Sequence, residues 1–273
     1  MKNFKKLLAV LLAGLMLLSL AACGEKKDES INAAMLEADG LSAAIRAHDA
    51  EKHPGMDPNT KQEIYANLST AIMDLKNGKL DYLSCEKTTA EYIVAHNENF
   101  EVFVWERLVA NFSMLTMEEN KEVYDILNNA IVEMKADGTL DSLIKNELKA
   151  YIESDPVAKD LPHFDGAKTI KIGVTGDLPP MDFVASNGKA AGFNIALLAE
   201  IANRAQVNIE LVQIETGARA MALSSGKVDA MFWTKSLTCT ECNETYLEEM
   251  PGTIATESYF SDASAAVLPK SDK

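Results

Sequence analysis

The stretch Leu75-Lys76-Asn77-Gly78-Lys79-Leu80-Asp81 returns as Leu223-Ser224-Ser225-Gly226-Lys227-Val228-Asp229, each copy closing an amphipathic segment and opening an apolar one. A leucine on a buried face, a glycine where a helix can end in the left-handed conformation, and a hydrophobic run starting at an aspartate make the helix-to-strand step of an α/β unit. Two copies predict two similar lobes. Ligands in open parallel sheets bind beyond the carboxyl ends of the strands. The residues after each copy should therefore line a cleft between lobes: Ser84-Cys85-Glu86 in one, Trp233-Thr234-Lys235-Ser236 in the other.

The alternation around the repeat agrees. Strands are expected at Ile31–Leu36, Glu63–Ala66 and Leu80–Cys85, and helices at Leu41–Lys52, after an Asp39-Gly40 turn, Leu68–Asn77 and Thr88–His96. Strands at Phe100–Trp105 and Asn111–Leu115 then precede helices at Glu118–Lys135 and Leu140–Tyr151, divided by Gly138. Ser154–Lys168 carries two prolines, Asp165-Gly166 and no periodicity, and reads as a linker. Beyond it come strands at Ile170–Val174, Asn208–Ile214 and Val228–Trp233, helices at Phe193–Ala205 and Ala218–Ser224, and a last strand at Ala265–Leu268. A strand that ends the chain invites a partner, and Asn111–Leu115 is available.

Lys2, Lys5 and Lys6 precede an uncharged run from Leu7 to Leu20, too short to span a bilayer comfortably, and Leu20-Ala21-Ala22-Cys23 follows. This resembles a bacterial lipoprotein signal, with an ordinary secretory signal as the alternative. The resemblance implies removal of residues 1–22, a lipid on the thiol of Cys23, and residues 23–30 as a polar tether on the extracytoplasmic face of the cell membrane. About 250 residues remain, enough for one large or two small α/β domains with a core. The 41 acidic residues exceed the 26 basic ones, and the net charge of −15 disfavours nucleic acid and anionic headgroups. The acidic residues are spread over helices, which suits solubility.

Past Cys23 stand Cys85, Cys239 and Cys242, an odd number that allows at most one internal bridge. Cys239-Thr240-Glu241-Cys242 fits a disulfide or plain structural pair, metal or redox chemistry, or inert thiols. His48, His53, His96 and His163 form no metal or catalytic pattern.

The run Ile170-Lys-Ile-Gly-Val-Thr-Gly-Asp-Leu-Pro-Pro-Met-Asp-Phe183, with Asn187-Gly188, Gly192-Phe193, the repeat at Leu223–Asp229 and Tyr259-Phe260-Ser261-Asp262, resembles the first half of type II periplasmic solute-binding proteins, amino-acid receptors of ABC importers above all. Gly78-Lys-Leu-Asp81, Lys87-Thr-Thr-Ala-Glu-Tyr92, Asn128 and Lys135-Ala-Asp-Gly-Thr-Leu-Asp141 resemble the second half. The halves stand in reversed order. The resemblance implies a circularly permuted, two-lobed type II α/β fold with the ligand cleft between lobes. Lobe two would be residues 31–108 and lobe one 109–273, the latter made of closing helices 118–151, linker 152–168 and α/β core 169–273. The closing helices should pack on the lobe of Phe193–Ala205. Fusion of two truncated fragments is the rival reading.

In that family an acidic residue just after the lobe-two strand accepts hydrogen bonds from the ligand ammonium. Glu86 stands there, a solvated helix-start glutamate being the alternative. The ligand-binding set that the resemblance implies continues with Thr175, Asp177 and Leu178, then Thr216 and Arg219, then Trp233, Thr234, Lys235, Ser236 and Thr238. Leu178 and Met181 replace aromatic residues that flank the proline pair in relatives, and Trp233 could supply the missing stacking face. The arginine that forks onto an α-carboxylate is missing, and Cys239-Thr240-Glu241-Cys242 occupies its stretch. Lys235 or Arg219 must compensate, or the ligand differs.

The expected protein is a lipid-anchored receptor for a small polar, amino-acid-like solute, cationic or zwitterionic, that closes by a hinge and delivers to an ABC permease. It should act as a monomer without cofactor, metal or nucleic acid. An enzyme is not expected, because Ser236 has no base in a suitable motif. The alternative is that Cys85, Cys239 and Cys242, which the resemblance places at the cleft rim, hold a soft metal or a thiol-reactive ligand.

Overall fold

Both copies of the repeat are built the same way in the computed structural model. Gly78 and Gly226 each adopt φ of +70°. Gly78 donates to the Leu75 carbonyl at 3.2 Å and Lys79 to that of Asp74 at 3.0 Å; Gly226 donates to Leu223 at 3.0 Å and Lys227 to Ala222 at 2.9 Å. The left-handed residue reverses the chain so that the last carbonyls of the helix are satisfied before the strand begins. The structure describes residues 31–36, 60–154, 157–247 and 250–270, so the expected signal, tether, Asp39-Gly40 turn and helix at Leu41–Lys52 lie outside the described residues.

In one wing, β1 (Ile31–Leu36) lies between β2 (Thr60–Tyr65) and β3 (Tyr82–Glu86), all parallel. Helices α1 (Leu68–Lys76) and α2 (Lys87–Ala95) pack Leu68, Leu75 and Ile93 onto Leu83 of β3. A long strand, β4 (Phe100–Met117), leads to α3 (Lys121–Asp137) and α4 (Thr139–Leu143), which continues through a π turn at Ile144–Leu148 into α5 (Lys149–Glu153). The second wing holds β5 (Thr169–Val174), a small sheet of β6 (Asp177–Leu178), β7 (Asp182–Val184) and β8 (Ala190–Ala191), then α6 (Phe193–Ala205), β9 (Asn208–Gln213), α7 (Arg219–Ser224) and β10 (Ala230–Cys239). Strands β11 (Glu244–Leu247) and β12 (Thr253–Ala255) lead to β13 (Phe260–Pro269).

One ten-stranded sheet runs β2-β1-β3-β13-β4-β10-β5-β9, with β11 on β10 and β12 on β4. The outer groups are parallel, and antiparallel β13, β4 and β10 join them. The fold is thus mixed α/β with a curled sheet. Helix α6 buries eight of its thirteen residues, so it reads as apolar nearly all round, and it packs against Leu127, Ile131 and Met134 of α3 over Ile170 and Ile172 of β5. The helices from Lys121 to Leu143 and the π turn up to Leu148 therefore share the core of Phe193–Ala205, whereas α5 lies against α2 of the other wing. Among the described residues no helix is long and apolar enough to cross a membrane.

Three expectations needed correction. Phe100–Trp105 and Asn111–Leu115 are one strand of 18 residues, because the charged Glu106-Arg107 pair lies on the strand and no glycine or proline breaks it. The final strand starts at Phe260, and its register sets Asn111 opposite Ser261 while Ala265–Leu268 face Val104–Glu101. The helix expected at Leu140–Tyr151 is interrupted by the π turn.

Candidate functional site

A cavity of about 490 Å³ opens beyond the carboxyl ends of β3, β5 and β9, with β4, β10 and β13 behind it. Glu86 ends β3 and is the N-cap of α2 in extended backbone, φ −67° and ψ 148°. The residue is partly exposed, but its carboxyl faces a desolvated corner. Burial, more than any other influence, pushes the Glu86 carboxyl above the ordinary range; Asp262 adds to the rise, while its own backbone amide and Arg219 oppose it. Asp262 is buried beside it and accepts from the amides of Thr88 at 2.8 Å and Ala263 at 2.9 Å, thereby capping α2 from another strand. Burial raises the Asp262 carboxyl as well, against the pull of those Thr88 and Ala263 donors.

From the opposite wing, Arg219 lies with its guanidinium carbon 5.0 Å from the centre of the Trp233 ring and donates to the Phe232 carbonyl at 3.4 Å. Phe112 of β4 and Phe260 of β13 stack at 5.9 Å and form the back wall. Asp182 is buried and accepts from Thr175 N at 2.8 Å, Thr175 Oγ1 at 2.6 Å, Gly176 N at 2.9 Å and Asn194 Nδ2 at 2.9 Å, which fixes the turn after β5. That turn reaches α6 at Gly192, φ +114°, where a Cβ would stand 2.3 Å from the Met181 carbonyl oxygen. The close approach lets the Pro180 and Met181 carbonyls accept from Phe193 and Asn194 at the start of α6.

Asp177 crosses the cleft. Its carboxylate accepts from both the backbone amide, at 3.0 Å, and the hydroxyl of Ser69, in the first turn of α1. A carboxylate on a helix amino end is favoured by the unpaired amides and the helix dipole.

Of the expected set, Glu86, Thr175, Asp177, Leu178, Arg219, Trp233 and Thr234 line this cavity. Lys235, Ser236 and Thr238 do not. The register of β10 on β4 slips between Thr234 and Ser236, so Ser236 accepts from Asn111 Nδ2 at 3.0 Å and Thr238 bonds Thr245 at 3.1 Å. Thr216 lies in a short 3-10 turn, and its side chain is outside the described residues. The three cysteines do not converge. Cys85 lines the cavity, whereas Cys239 and Cys242 pack with Leu108, Leu237 and Tyr246 at the far end of β10. Burial first, then Glu86 and Asp262, hold the Cys85 thiol well above its usual range, which suits neither a nucleophile nor a metal ligand. Among the described residues no group of three His, Cys, Asp or Glu could hold a metal ion.

Asp262, Thr88, Thr89, Phe112 and Phe260 line the cavity without having been expected there. Tyr259-Phe260-Ser261-Asp262 was visible as a motif; that it belonged to the site required knowing that β13 runs beside β3.

A probable histidine-binding protein of Campylobacter jejuni is 30% identical over 89 residues, which are 32% of this chain and 35% of that protein, so the chain spans about a third of the length of the curated relative it matches. Solved structures similar to the chain include the GluR0 ligand-binding core in complex with L-glutamate, at 11% identity and TM-score 0.40 over 91% of this chain and 87% of that one. Another is the ligand-binding component of an ABC-type import system from Staphylococcus aureus with zinc bound, at 9% identity and TM-score 0.45 over 88% of this chain and 66% of that one. The segment that carries the second copy of the repeat, Arg219 and Trp233, residues 170–248, matches the bacterial extracellular solute-binding proteins, family 3.

Proposed function

We propose that the protein is an extracytoplasmic receptor that captures a small polar, amino-acid-like solute between its two wings and delivers it to an ABC permease. The observation that carries this reading is the cavity itself: it receives Glu86 from one wing and Arg219 and Trp233 from the other, so a bound solute would hold both. The family match over residues 170–248 supports the same reading. Closure follows from geometry, because a solute touching two wings favours whichever arrangement brings them together. The wings correspond to lobe two at 31–108 and lobe one at 109–273 of a circularly permuted chain. The packing of α3 and α6 in a common core supports that order.

Differential scanning fluorimetry against amino acids, amines, oligopeptides and metals identifies the solute, and calorimetry then tests the site. Glu86→Gln should weaken a cationic or zwitterionic solute by about 1.5–3 kcal/mol, the worth of a charge-assisted hydrogen bond. Trp233→Ala should weaken it by removing the ring that seats Arg219 at the cavity. If both variants stay within about threefold of the parent, or roughly 0.7 kcal/mol, the cavity is not the binding site.

Retention at the membrane belongs to Cys23 in this proposal, through a thioether-linked diacylglycerol. Cys23→Ser should abolish lipid labelling and send the protein to the soluble fraction. Unchanged retention would refute the anchor.

A further inference from the structure

Five carboxylates line the cavity, Glu86, Asp177, Asp182, Glu215 and Asp262, against the single guanidinium of Arg219. Most of this charge is already engaged. Asp177 is bound by Ser69, Asp182 by the turn at Thr175 and by Asn194, and Arg219 by the Trp233 face and the Phe232 carbonyl. Glu86 differs: as N-cap of α2 it makes no side-chain capping bond, and its carboxyl faces the cavity beside Asp262.

Two carboxylates offer acceptors at this corner, Glu86 at the end of β3 and Asp262 on β13 beside it, and an ammonium carries three donors to meet them. Behind that corner the Phe112 and Phe260 rings give a flat apolar wall.

We propose that the solute is an organic amine without a carboxylate, its ammonium seated on Glu86 and Asp262 and its body against Phe112 and Phe260. A carboxylate on the same solute would enter among five others, with the one guanidinium held over an indole. Specificity then comes as much from repelling the acid as from holding the amine.

This inference rests on the cavity being the solute site, so its test is built to fail separately. Calorimetry on the purified protein with matched pairs reads the carboxylate alone: cadaverine against lysine, agmatine against arginine, histamine against histidine, tyramine against tyrosine. For the pairs that bind, the amine should be at least about tenfold tighter than its amino acid, the factor that corresponds to about 1.4 kcal/mol. Asp262→Asn keeps a side-chain acceptor for the Thr88 amide and should weaken the best amine at least about fivefold, with its melting in the range of the parent. Amino acids binding as tightly as their amines, or an unchanged amine affinity in Asp262→Asn, would overturn the amine proposal and leave solute binding standing. Binding of no solute of any class would overturn both.

Discussion

Glu86, proposed to hold the solute, can be told by its titration from a residue that stabilises the fold. Its carboxyl is raised by burial and by Asp262, so the folded state holds the proton more tightly than the unfolded chain does. By linkage, stability falls as pH rises from the ordinary carboxylate range through the raised value, and charge at Glu86 opposes folding above it. Glu86→Gln removes that opposition. The variant should therefore melt at a higher temperature than the parent at neutral pH, with the gap closing in acid, while it loses affinity for a cationic solute. Thermal melts across pH read the first effect and calorimetry the second; a variant that loses both stability and affinity would show that Glu86 is structural. The charged neighbours that set this balance are Asp262 and Arg219, and the Glu86 carboxylate in turn adds to the rise of the Cys85 thiol and the Tyr259 hydroxyl. Glu86, Arg219 and Trp233 could be named from the chain because each follows or precedes a copy of the repeat. Thr89 and Phe112 could not, since each looks like an ordinary core residue until three non-consecutive strands are brought side by side.

At the scale of elements, the repeat was the most legible feature, because helix termination by a left-handed glycine is a local event that needs no tertiary partner. Gly78 and Gly226 have the same φ of +70° and nothing within 4 Å of the position a Cβ would take, so only backbone strain opposes alanine. Gly78→Ala and Gly226→Ala should each cost about 1–2 kcal/mol, and by similar amounts, in chemical denaturation. A cost at one site several times that at the other would show that the copies are not equivalent. The helix at Phe193–Ala205 was read to the residue for a related reason: its start is fixed by Gly192 and its apolar content by the eight residues that it buries. Strand β4 was misread as two because charge at Glu106-Arg107 resembles a break; the β13 ladder is irregular there, but pairing at Trp105 and Val109 on either side keeps the strand continuous.

For the whole molecule, the contact of Asp177 with Ser69 joins the wings beside the packing of Leu178 on the first wing's core and of Tyr92 on Phe183, and in addition to the strands β4, β10 and β13. Asp177→Ala should shift the solution ensemble toward open forms, seen as a larger radius of gyration in X-ray scattering and a weaker solute affinity with the melting of each wing preserved. An unchanged radius and affinity would show that the bond contributes nothing to closure. The connecting strands carry a further consequence. Both irregularities of the ladder, between Thr234 and Ser236 on β10 and between Ala263 and Ser264 on β13, fall against the stretch of β4 from Trp105 to Phe112, and Phe112 is also the back wall of the cavity. Under the proposed closure, pivot and wall would be one piece of backbone. Departure of a solute would then require that piece to flex, residence time would follow the mechanics of three strands, and solutes of quite different affinity would share a common slowest step.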